Sequence, residues 1–179
     1  MPVVFSDSRN ERRPALCAIA WHMACKAHGM VRSILRSALF SGSVASVATT
    51  AMLGACGALG GRDPVSPSNG PSQWIWGRAA AYARGASLRH TAVGYLIHHA
   101  TAVMWAAVFE RLRRGRPGAG ATIAAAATTG TLAYVVDYKV VPRRLQPGFD
   151  AHVSRRSIGV FYLTFAAALA AAAWSQRRP

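Results

Sequence analysis

Residues 91–109, TAVGYLIHHATAVMWAAVF, run for 19 positions without an Asp, Glu, Lys or Arg. Residues 157–176, SIGVFYLTFAAALAAAAWSQ, do the same for 20. Two further charge-free runs flank them: 25 residues from Ser37 to Gly61 and 20 from Pro117 to Val136. A helix that crosses a bilayer needs about 17–25 mainly apolar residues, so all four are long enough. Runs 91–109 and 157–176 carry large apolar side chains, whereas the other two lean on Ala, Gly, Ser and Thr. Helices of a soluble bundle would show a charged position every turn, and these runs show none. The pattern predicts an all-α, four-span transmembrane helical bundle. Its spans fall at about 37–61, 89–110, 118–141 and 157–176, within a membrane domain over 31–179.

Composition agrees with that reading. The 179 residues include 21 Lys and Arg against 6 Asp and Glu, a formal net charge of +15. Charged residues nevertheless make up only 15% of the chain and hydrophobic ones 52%. Soluble domains carry about 25% charge, and a disordered basic tail would lack the apolar content. The charges gather between the runs, as in ERLRRGRPG (Glu110–Gly118) and across Asp137–Arg156. Beside membrane spans such clusters anchor to anionic lipid headgroups. No zinc pattern, phosphate loop or aromatic nucleic-acid motif accompanies them, so nucleic acid is not an expected partner. With four spans, twelve Lys and Arg fall on the side of the two termini and nine on the other. The positive-inside rule then places both termini in the cytoplasm.

Residues 1–30 read as a polar, basic N-terminal tail, either disordered or an over-extended start with Met30 as the true one. From Met30 the sequence MVRSILR gives a basic segment ahead of the first apolar run, as in a signal sequence. Leu53–Cys56, LGAC, is similar to a lipoprotein cleavage box. Three later spans favour an uncleaved first span over lipidation of Cys56. Cys17, His22, Cys25 and His28 lie within about 140° of arc on one helix, and one helix cannot surround a tetrahedral ion. No metal or cofactor is expected. Between spans 1 and 2, PVSPSNGP (residues 64–71) cannot continue a helix. It is followed by Trp74, Trp76, Arg78 and Tyr82, which read as a short interfacial helix with Trp74 and Trp76 as anchors. The alternative is an aromatic plug on the bundle mouth.

Two features inside the spans invite a closer reading. Gly42, Ser46, Thr50, Gly54 and Ala58 recur at every fourth position and form a seam for helix packing. The seam suits either a neighbouring span or a second copy of the chain. Ionisable residues in spans mark function because hydrocarbon makes unpaired charge costly. His98 and His99 lie in the second span and Asp137 at the far end of the third. Those spans run antiparallel, so His98, roughly 10 Å inside its span, lies near the level of Asp137. His98 shares a face with Tyr95 and Thr101, and Asp137 with Tyr134. The predicted polar pair is therefore His98 and Asp137, with Tyr95, Thr101 and Tyr134 in support. Either a hydrogen-bonded structural histidine or a proton-handling couple fits this arrangement.

The chain has no G-x-S-x-G, P-loop, H-E-x-x-H or dinucleotide fingerprint. No catalytic residue is assigned and an enzyme is not expected. The segments WIWG (74–77), GYLIHHATAVMWAAVFE (94–110) and VDYKVVPRRLQPGFDAHVSRRS (136–157) resemble an uncharacterised family of small multi-pass bacterial inner-membrane proteins. The resemblance covers roughly Val31–Ala173. It implies a multi-pass inner-membrane protein and carries no activity, cofactor or catalytic residue. The leading expectation is a structural or accessory protein of a membrane complex, with a protein partner or a homo-oligomer. The alternatives are a small proton- or ion-coupled permeation protein using His98 and Asp137, and a membrane enzyme acting on a lipid-like substrate.

Overall fold

A computed structural model describes the backbone of residues 8–176 and the side chains of residues 21–23 and 25–176. Among the described residues there is no strand. The longer elements are α1 (Ser8–Leu59), α2 (Gln73–Trp76), α3 (Val93–Arg113), α4 (Ala119–Val135) and α5 (Arg155–Ser175). Short 3-10 and π turns join them; the π turns Leu88–Ala92 and Val136–Val140 extend α3 and α4. Among the described residues four helical stretches are long and apolar enough to cross a membrane: Trp21–Leu59, Leu88–Arg113, Ala119–Val140 and Arg155–Ser175. The last three lie within about three residues of the bounds read from charge. The first contains most of the predicted 37–61 span, and its helix continues on the N-terminal side through Arg36 and Arg32, which are good helix formers and do not stop a helix.

The chain divides into two compact units, Met1–Arg36 and Ser37–Pro179. In the first, residues from Ser8 onward are helical. The segment read as a disordered tail therefore has regular structure from that point, and residues 1–7 lie outside those described. Cys25 is exposed; the side chain of Cys17 lies outside the described set.

In the second unit the core is built largely from alanine. Ala38, Ala45, Ala102, Ala106, Ala126 and Ala173 are buried around Phe109, Phe165 and Leu169. Small side chains let backbones approach and gain dispersion contacts where lipid offers no hydrophobic drive. Gly130 marks the closest approach of α4 and α5: a Cβ there would stand 3.2 Å from both the Ala166 Cβ and the Tyr162 carbonyl oxygen. Some buried hydroxyls are satisfied within their own helices, as in Thr129 to Ala125 O (2.8 Å) and Thr49 to Ala45 O (2.7 Å), whereas the buried Ser46 hydroxyl has no partner among the described residues.

The every-fourth seam on α1 holds only at its start. Gly42 and Ser46 are buried, Thr50 and Gly54 half-buried, and Ala58 exposed. The better buried stripe keeps the same four-residue step but starts one residue earlier. The face that packs is Ala38, Ser41, Ala45, Thr49 and Leu53. At Gly42 a Cβ would come 2.6 Å from the Val103 Cα of α3.

The short interfacial helix read from the sequence after residues 64–71 is not confirmed, and no long helix forms in the connection after α1. That connection is a 3-10 helix over Ser66–Ser72, a single α turn (α2), Gly77 at φ 81° and another 3-10 helix over Arg78–Tyr82. Pro67 and Pro71 lack the N–H that a continuous α-helix needs. Asn69, Pro71, Ser72 and Gln73 are buried. The segment packs on α3, where a Cβ at Gly94 would fall on the Ser68 carbonyl oxygen.

Candidate functional site

Irregular backbone at such a place survives only if its polar groups are met inside the protein. Asn69, fully buried, donates from Nδ2 to the carbonyls of Ala83 (2.9 Å) and Gly85 (3.0 Å). Its Oδ1 accepts from the Thr91 hydroxyl at 2.7 Å. Asp63 accepts from Val65 N (3.0 Å), Ser66 Oγ (2.6 Å) and Gly85 N (2.9 Å). Those bonds, led by the Ser66 hydroxyl, hold its carboxyl below the usual carboxylate range. Gln73 and Trp74 both donate to the Gln146 carbonyl, at 2.6 and 3.2 Å. Gly70 abuts Gly148, where a Cβ would lie 2.8 Å from the facing backbone. Two loops distant in sequence, 62–90 and 141–154, thus form one polar cap.

His152 closes the far side of the cap. Its Nε2 lies 2.6 Å from the Ala81 carbonyl, so that nitrogen is the donor, and Arg62 donates to the His152 carbonyl at 2.7 Å. Burial, with Arg62 and Arg84 nearby, pushes its pKa below the ordinary histidine value despite the opposing pull of the Ala81 bond and Asp63. A histidine with a lowered folded pKa contributes stability above its unfolded value of about 6.5. That contribution is lost as pH falls through the folded value. The cap is therefore expected to loosen as the pH falls below about 6.5 and through the lowered folded value. Hydrogen exchange at residues 80–85 should rise over that range in the parent and stay flat in His152→Gln. An equal rise in both would show that another group governs the change.

Beneath the cap lies a cavity of about 30 Å³ whose lining includes His98, Thr101, Trp105, Asp137 and Tyr162. A water needs roughly 10–15 Å³ of such space, so the cavity has room for one or two. His98 is buried, and its Nε2 lies 3.0 Å from Thr49 Oγ1 on α1. The Thr49 proton already serves the Ala45 carbonyl, which makes the imidazole the donor and assigns the Nε2–H tautomer. Phe149 and Phe161 flank the ring at 5.7 Å. Asp137 accepts a 2.7 Å hydrogen bond from Tyr162 of α5. The two side chains anticipated as a pair thus take different partners, and what they share is the cavity. The Trp105 indole N–H is buried without a partner among the described residues.

The supporting residues divide. Thr101 lines the cavity and donates to the His98 carbonyl at 2.9 Å. Tyr134 packs edge-on against Tyr162, with ring centroids 5.5 Å apart. Tyr95 stands beside His99 rather than His98, at 5.9 Å. Trp74 lines the cavity, while Trp76 is exposed beneath the Arg89 guanidinium at 4.7 Å. The anchors therefore split between the plug and the surface.

Sequence reasoning missed Asn69, Gln73 and Asp63 because a Pro/Gly/Ser cluster reads as solvated loop. It also passed over Glu110, which is buried and bonded to Ser41 Oγ (3.1 Å) and Arg113 Nε (2.7 Å). The signal available was a lone acid at the end of a span beside an arginine three residues on. Among the described residues no cluster of three or more metal-ligating side chains occurs. Comparison with protein-family models, with curated proteins and with solved structures finds no match, so the site is read from its own geometry.

Proposed function

We propose that the chain is a non-enzymatic integral protein of the bacterial inner membrane, structural or accessory to a membrane assembly, with both termini in the cytoplasm. The observation that carries this reading is that the two ionisable groups lining the cavity, His98 and Asp137, each take a partner on a neighbouring helix. Thr49 meets His98 and Tyr162 meets Asp137, around a cavity with room for a water or two. Groups arranged in this way tie helices together: His98 joins α3 to α1, and Asp137 joins the end of α4 to α5. The exposed Ile75, Trp76 and Tyr82 belong at headgroup level in this placement, where amphipathic rings keep one end wet. A periplasm-specific reporter fused to the C-terminus is expected to stay silent.

The second reading, proton or ion permeation, draws on His98 and Asp137 lining one cavity. His98 variants separate the two. His98→Ala removes a buried ring and its hydrogen bond, a loss on the order of 2–4 kcal/mol. His98→Gln keeps an N–H for Thr49 and should recover most of that stability. Gln cannot titrate near neutral pH, so in reconstituted vesicles it would abolish any pH-driven flux that uses the imidazole. The expected result is rescue of thermal stability by Gln and no flux in the parent. Flux in the parent, lost in a well-folded His98→Gln, would overturn the structural reading in favour of permeation.

A further inference from the structure

Two neighbouring recesses share Tyr134 in their linings. One is an apolar groove of about 550 Å³ between α4 and α5, bounded by Tyr134 at one end and Trp174 at the other. Gly159–Trp174 alone is about 22 Å of helix, longer than one leaflet of a ~30 Å hydrocarbon core. Small residues keep the groove open. Gly130 is required by the chain's own packing, as the Ala166 contact shows, but Gly159 is not: a Cβ built there meets nothing within 4 Å. Glycine is a poor helix former, so its presence in the second turn of α5 serves the open space rather than the bundle.

The second recess, also about 550 Å³, opens beyond Tyr134, which lines both. Arg78, Lys139, Arg143 and Arg155 line it against a single carboxylate, Asp150. Among the described residues none of the four cations forms an ion pair. The Tyr138 hydroxyl lines the same recess and is buried without a hydrogen-bond partner among the described residues. A cationic chamber adjoining an acyl-sized groove across Tyr134 matches the two halves of one amphiphile. We propose that this composite recess binds a single anionic phospholipid, its phosphate in the basic chamber and one acyl chain along α4 and α5. The attraction of basic loops to headgroups in general would need no groove. A second copy of the chain docked two-fold in the same membrane would set two cationic rims against each other.

The test uses the full-length protein in mild detergent, with native mass spectrometry reading bound lipid on titration. The probes are phosphatidylglycerol, phosphatidylcholine and inorganic phosphate, applied to the parent, to Lys139→Gln/Arg143→Gln and to Gly159→Leu. One phosphatidylglycerol per chain is expected, bound more tightly than phosphatidylcholine. Each cation near the headgroup is worth about fivefold, so the double variant should weaken binding by roughly 30-fold. Gly159→Leu sets its Cβ in open space and its branched end into the groove; it should keep the parent's thermal stability and lose lipid. Equal affinity for the two lipids would overturn the proposal. So would phosphate competing fully in the parent while Gly159→Leu binds lipid normally, which would describe a free-anion site. A lipid-free parent dimer dispersed by Gly159→Leu would assign the groove to self-association instead.

Discussion

Gly94→Ala is expected to unseat the polar cap. The added methyl would fall on the Ser68 carbonyl oxygen, and that contact joins backbone to backbone, so no flexible side chain can yield. Overpacking of this kind costs about 1–3 kcal/mol and more where the backbone itself must move. For a chain of this size each kcal/mol is worth about 2–4 °C in Tm, so a fall of roughly 6–10 °C in detergent is expected. Trypsin should also cut at Arg78, Arg84 and Arg89, which the seated cap holds in turns. Gly159→Ala serves as the control of opposite sign. Its methyl meets nothing within 4 Å, and replacing glycine inside a helix gains up to about 1 kcal/mol. If Gly94→Ala melted with the parent, the close packing of the 66–72 helix on α3 would be wrong.

Asn69→Ala is expected to cost at least as much by a different route. It removes a fully buried amide and leaves the Ala83 and Gly85 carbonyls and the Thr91 hydroxyl short of a partner. Each unsatisfied buried group costs about 1–3 kcal/mol; together the loss should be on the order of 3–5 kcal/mol, less whatever water recovers. Because the three partners lie within 83–91, opening should be local first. Hydrogen exchange should rise across 66–91 before α4 and α5 respond. Asn69→Asp should be no better: it keeps the acceptor for Thr91 but turns a donor toward two carbonyls into a further acceptor. Uniform exchange across the whole bundle would instead mean that the cap and spans unfold as one unit.

The positions of the spans were legible in the sequence because they depend on a one-dimensional property. Hydrocarbon tolerates few charges, so charge-free runs of about 20 residues mark them without knowledge of neighbours. The choice of His98 over His99 came from helical periodicity in the same way: His98 is buried against Thr49, and His99 is half-buried beside Tyr95. On α1 the four-residue step held but its phase did not: the buried stripe is Ser41, Ala45, Thr49 and Leu53, one residue before the seam of small side chains. That offset leaves Ala58 exposed and makes Thr49, outside the predicted seam, the residue that meets His98.

Partners across the bundle could not be read at all. Nothing in the order of residues tells that Asp137 is met by Tyr162, or that Asn69 in a Pro/Gly/Ser stretch is more deeply buried than most of the apolar chain. Composition reports how willingly a residue leaves water; a buried polar side chain is decided by whether donors and acceptors from distant segments arrive around it. The sequence alone determined that four apolar helices exist, where they lie and that their loops are basic. Only the tertiary structure decided which polar groups they enclose, because hydrogen-bond satisfaction belongs to the assembled fold and not to any one segment.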